Sequence, residues 1–145
     1  RPLGVELKDI LQELGEEPPP LPLPEVLGGG PVEPTHGFVM FERGDSELEE
    51  GALNIDDRIV VSGSTEVLSD LVRGRIRGRY YLLLGYSGWA PGQLEREIEE
   101  NSWLVAPLKR SILFDVPLDD RWSAALRSIG VEPGPLVDTG SAAPS

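Results

Sequence analysis

Apolar side chains at Leu7, Ile10, Leu11 and Leu14 recur at the i, i+3, i+4, i+7 spacing of one helical face, and Gly15 stands where that helix should stop. Residues 16–24 break the period. Prolines at 18, 19, 20, 22 and 24 fix φ and remove backbone donors, so the stretch reads as an extended connector, with a PxxP-type ligand as its other use. Gly28, Gly29, Gly30 and Pro31 then lead into a short apolar run at residues 38–41, which predicts a buried strand. Residues 52–55 and 58–61 predict two strands joined by a two-residue turn at Asp56 and Asp57. Ser64 or Thr65 can cap a helix bearing Val67, Leu68, Leu71 and Val72, with Gly74 as its stop. Residues 80–84, aromatic and aliphatic between two glycines, give the strongest strand signal.

Pro91 suits the first turn of a helix carrying Leu94 and Ile98. Residues 103–106 and 112–114 predict two further strands. Asp119 can cap a last helix on which Trp122, Ala125, Leu126 and Ile129 share a face, ended by Gly130. The Pro, Gly, Ser and Ala content of residues 132–145 predicts a disordered tail. Helices and strands interleave irregularly, with at least one hairpin. That pattern predicts an α+β domain over residues 1–131: a mixed, mainly antiparallel sheet, open or barrel-like, with three to four helices.

Composition narrows the chemistry. A chain of 145 residues buries about 70% of its unfolded surface, enough for a core without staples. It has no cysteine, which excludes disulfides, thiolate metal sites and cysteine nucleophiles, and fits a reducing cytoplasm. No run of apolar residues is long enough for a membrane span. Twenty-five acidic against thirteen basic side chains leave a net charge of −12, a field that repels phosphate backbones. Arg73, Arg75, Arg77 and Arg79 form the one basic strip; cations at a helix C-terminus are the favoured reading, a phosphate grip the other.

The densest signal is residues 85–98. A strand ends, a turn containing Gly85, Tyr86, Ser87, Gly88, Trp89 and Gly92 follows, and a helix with Gln93 and Glu97 begins. Such a turn can expose amides to an anion, or merely permit a sharp bend over which Trp89 packs. Its spacing is neither a dinucleotide fingerprint nor a P-loop. Ser87 lies in Gly-Tyr-Ser-Gly-Trp rather than G-x-S-x-G, and His36 is the only histidine available as its base, so a nucleophilic dyad is disfavoured. Glu95 and Glu99 share a helix face, as do Gln93 and Glu97, and paired carboxylates can do acid–base work or hold a hard cation. A solvated surface helix is the favoured reading of Glu95, Glu97, Glu99 and Glu100, as a solvated face is for the acidic loop at residues 45–50, which lacks metal-ligand spacing.

Several segments together resemble one family. Gly29-Gly30-Pro31-Val32, then Gly37-Phe38-Val39 with Asp56 and residues 61–71, then residues 85–98, Trp103, Ile112-Leu113-Phe114-Asp115 and Arg121-Trp122 are similar, in order, to the YqgE/AlgH family. The resemblance implies a compact α+β fold of bacterial cytoplasmic proteins described as transcriptional regulators, and it implies no reaction and no cofactor. Family members begin earlier, at strands whose junction Arg1-Pro2-Leu3 continues, so the chain is expected to be clipped at its N-terminus. The expectation is a non-enzymatic regulatory or binding module without metal or cofactor; the alternative is a nucleotide- or phosphate-binding protein or enzyme that uses the turn from Gly85 to Gln93. The module's contact surface would be Gly85, Tyr86, Ser87, Gly88, Trp89, Gly92, Gln93 and Glu97, joined by Gly29, Gly30 and Pro31. A protein partner is expected first, a small anionic ligand second, and neither nucleic acid nor membrane.

Overall fold

The computed structural model describes residues 1–44 and 51–134; the acidic loop expected at residues 45–50 and most of the expected tail lie outside the described residues. The chain divides into two compact units, residues 1–87 and a second beginning at Gly88. The first unit holds one five-stranded sheet in the order β1-β5-β2-β4-β3. Its strands are β1 (Val26–Gly28), β2 (Val32–Glu42), β3 (Leu53–Asn54), β4 (Ile59–Ser62) and β5 (Tyr80–Tyr86), with helices α1 (Leu7–Glu13) and α2 (Thr65–Val72). β1 runs parallel to β5, and the other pairings are antiparallel. The α+β expectation holds. The sheet is open, not barrel-like, because β1 and β3 end it without pairing to each other.

Apolar faces of both helices and the sheet form one core, in which Leu7, Leu11, Val26, Val60 and Leu82 are buried. Ser64 caps α2 by accepting the Val67 amide at 3.3 Å, satisfying one of the unpaired donors of the first turn. Gly74, at φ +76°, closes the other end: its amide donates to Leu71 and the Arg75 amide to Asp70. The expected two-residue hairpin is wider. Asp56 Oδ1 accepts the amides of Arg58 and Ile59, both at 2.7 Å, and Ile55 pairs back to Ile59, leaving three residues in the turn.

β1 is the strand that the hydrophobic pattern misses, since three residues between prolines and glycines carry too short a period. Its presence creates a topological demand. β1 and β2 flank β5 on opposite sides, so the link between them must cross the end of β5 itself. Gly29 and Gly30 make that crossing over Gly85 and Tyr86, with the Gly29 amide donating to the Leu84 carbonyl at 2.8 Å. A methyl on Gly29 would meet the Gly85 carbonyl oxygen, and one on Gly85 the Gly30 carbonyl oxygen. Backbone crosses backbone here, and side chains do not fit.

The second unit carries α3 (Gln93–Glu99), α4 (Arg110–Phe114), a 3-10 turn (Leu118–Asp120) and α5 (Arg121–Ser128), bringing the helices among the described residues to five rather than three or four. Two expected strands are absent. Residues 112–114 lie within α4, because a three-residue apolar run fits a helix face as well as a strand. Residues 103–106 form neither helix nor strand. Asp119 lies inside the 3-10 turn instead of capping α5, and Gly130 (φ +79°), just past the Ile129 C-cap, stops that helix as expected.

Candidate functional site

The candidate residues fall into two groups, one in each unit. In the first unit, Gly29 and Gly30 meet Gly85 and Tyr86 at the crossing just described, with Pro31 following and Ser87 at the end of the unit. β2 is irregular beside it: Val32 pairs with Tyr86 but Gly37 with Leu84, and Glu33 in the bulge has φ +47°. Glu33 also raises the Tyr86 hydroxyl pKa, chiefly through its charge. The His36 ring packs on Phe38 with centroids 4.7 Å apart, and no hydrogen bond joins it to Ser87 among the described residues. A dyad needs that bond.

The second group is a clamp built on α3. Trp89, Gln93 and Glu97 recur every fourth residue, so the turn and the helix bring them to one face. Gly92 starts α3 in the left-handed conformation at φ +77°, and Gln93 Oε1 accepts the Ala90 amide at 3.0 Å. Glu97 Oε2 accepts two indole N–H groups, Trp89 at 2.7 Å and Trp103 at 3.0 Å, while Oε1 accepts the Gln93 side-chain amide at 3.3 Å. The rings of Trp89 and Trp103 meet edge to face, 6.0 Å apart and 74° to each other. Hydrogen bonds from Trp89 first and Trp103 second hold the Glu97 carboxyl below its usual range, against a smaller opposing push from burial.

Trp103 is the member that sequence reasoning misses. It reaches Glu97 because Asn101, at φ +61°, ends α3: its amide donates to Ile98 and the Ser102 amide to Glu97, turning the chain back. No periodicity encodes a contact made across a helix end. Asn101 in the position usually held by Gly was the available signal. Among the described residues the other carboxylates of the helix make no such bonds, so Glu97 differs in kind from its neighbours.

The arginine strip is mostly engaged at home. Arg73 donates to the Glu17 carbonyl, Arg75 pairs with Asp70 at 2.6 Å, and Arg79 grips Glu42 at 2.6 Å. Among the described residues no group of three or more acidic or histidine side chains is placed to hold a metal, and no helix is long and apolar enough to cross a membrane.

The AlgH-like family pattern matches residues 1–134. The chain belongs to that family. A UPF0301 protein of Anaeromyxobacter sp. (strain K) is 47% identical over 118 residues, 81% of this chain and 60% of that protein; one of Coxiella burnetii (strain Dugway 5J108-111) is 40% identical over 134 residues, 91% of this chain and 70% of that protein. This AlgH-like chain thus spans about three-fifths of the Anaeromyxobacter relative's length. Among solved structures, the solution structure of the AlgH protein from Pseudomonas aeruginosa superposes with a TM-score of 0.71 at 36% identity, covering 91% of this chain and 70% of that one. The kinship expected from residues 29–32 and 85–98 is therefore found, and with it the α+β fold.

Proposed function

We propose that this AlgH-like chain is a non-enzymatic binding module of the bacterial cytoplasm, regulating through a protein partner, and that its contact surface is the indole clamp around Trp89. The supporting observation is the clamp itself. A carboxylate fixes two indoles by their N–H groups, yet Trp89 remains 39% exposed. An immobilised, solvent-facing tryptophan loses little further freedom on binding, which is why such residues anchor interfaces. The cytoplasmic setting rests on the absence of cysteine and the bacterial source of the relatives. An indirect regulatory role suits a charge of −12, which disfavours direct contact with DNA. The anion-binding alternative draws less support: α3 has seven residues, and the Ala90 amide before it is already taken by Gln93.

The test compares proteins retained from a bacterial lysate by the immobilised chain and by its Trp89→Ala variant, after circular dichroism shows equal folding. Loss of specific retained proteins supports the assignment. An unchanged set refutes it.

A further inference from the structure

We infer that the indole clamp receives a cationic side chain, specifically the guanidinium of an arginine-bearing segment of a partner protein. The inference rests on the contact surface proposed above and adds the chemistry of its occupant. Both indole N–H groups point inward to Glu97 Oε2, so the donors that could have met an acceptor on a partner are occupied. With its N–H engaged, what the 39%-exposed Trp89 has left to offer is carbon ring, whose π cloud is the negative part of the aromatic quadrupole. Donation of the N–H to an ionised carboxylate polarises the indole further in the same sense.

The surroundings carry the same sign. α3 and its C-cap bear Glu95, Glu97, Glu99 and Glu100 against Arg96 alone; Glu95 and Glu99 lie on another face from Glu97, so they add to the field of the helix rather than to the clamp itself. The whole chain is at −12, so the long-range field draws cations and repels anions. Arg96 makes no hydrogen bond to Glu97 among the described residues and acts on it only through its charge, the smallest of the influences on that carboxylate, so the bonds Glu97 accepts come from the indoles and Gln93. Two ring planes at 74° offer a corner with a face on each side. A planar guanidinium can stack on an indole and keep its N–H edge free for a carboxylate such as Glu100, three residues beyond Glu97, which an ammonium does less well.

The experiment titrates the ¹⁵N-labelled chain at low salt with acetyl-Gly-Arg-Gly-Arg-Gly-amide, and separately with the same peptide carrying citrulline, the neutral isostere of arginine. The three indole N–H signals report the site, with Trp122, 44% exposed and outside the clamp, as internal control. The expected result is saturable shifts of Trp89 and Trp103 with the arginine peptide alone, Trp122 unmoved. Trp89→Ala should weaken binding about fivefold and Trp122→Ala should leave it unchanged. Equal shifts with both peptides, no shifts, or equal losses in both variants overturn the inference. The arginine–citrulline comparison uses the unsubstituted chain and so does not depend on any variant folding. If the arginine peptide fails while Trp89→Ala still strips partners from the lysate set, the contact surface stands and only its cationic occupant is wrong.

Discussion

Replacing Gly85 by alanine separates two reasons for a glycine, because Gly74 supplies a matched control in the same unit. Both have left-handed backbones, at φ +79° and +76°. At Gly74 a methyl group would meet no atom within 4 Å, so Gly74→Ala carries only the left-handed penalty, about 1–2 kcal/mol. At Gly85 the same penalty applies, and the methyl also runs into the Gly30 carbonyl oxygen and lies 3.2 Å from that of Val32. These are backbone atoms of the crossing segment and of β2, so no rotamer change relieves them. Overpacking of that kind adds about 1–3 kcal/mol, for a total of about 2–5.

The assay is urea unfolding followed by far-ultraviolet circular dichroism. With a slope of roughly 1–3 kcal/mol/M, the midpoint of Gly85→Ala should fall about 1 M below that of Gly74→Ala. Equal midpoints would refute the crossing argument and return Gly29, Gly30 and Gly85 to the pool of residues free to meet a ligand. A large gap means that this part of the family's glycine signature is accounted for by strand β5 passing beneath the β1–β2 link.

Two further outcomes test the clamp. The Glu97 pKa is lowered from 4.5 in the folded chain, so its stabilising contribution is complete above that value and is lost as pH falls through the lower folded value. The indole signals of Trp89 and Trp103 should therefore move together with a midpoint below 4.5, and Glu97→Gln should abolish the inflection. Asn101→Val, a β-branched residue at φ +61°, should cost about 1–2 kcal/mol and shift the Trp103 indole signal toward its solvated position, whereas Asn101→Gly should keep it.

The helices of the first unit were legible because each is written twice, in an apolar face and in its punctuation. Leu7 and Leu11 before Gly15, and Ser64 through Val72 before Gly74, agree at both levels. The strands at Phe41, Val60 and Leu82 were legible because burial on a sheet leaves dense apolar runs. What stayed hidden depends on partners distant in sequence. β1 is a strand only by pairing with β5, and the need for Gly29 and Gly30 follows from that pairing. Residues 112–114 were misassigned because apolar content without length does not select a period. The turn at residues 85–93 was visible, but its division between a crossing of backbones and a clamp of side chains was not.

The bonding of Glu97 also bears on the choice proposed above between binding and acid–base catalysis. A general base works best when its pKa lies near the operating pH, and enzymes raise carboxyl groups toward neutrality by burial or by a second carboxylate. Glu97 is displaced the other way, by three side-chain donors directed at its two oxygens. To take a proton from a substrate it would have to release at least one indole, disordering the surface that would have positioned that substrate. A carboxylate so arranged holds its neighbours in place, and the group it holds toward solvent, the Trp89 ring, has no proton to give. The same three donors that suit Glu97 poorly to general-base work hold Trp89 in the position that the proposed contact surface requires.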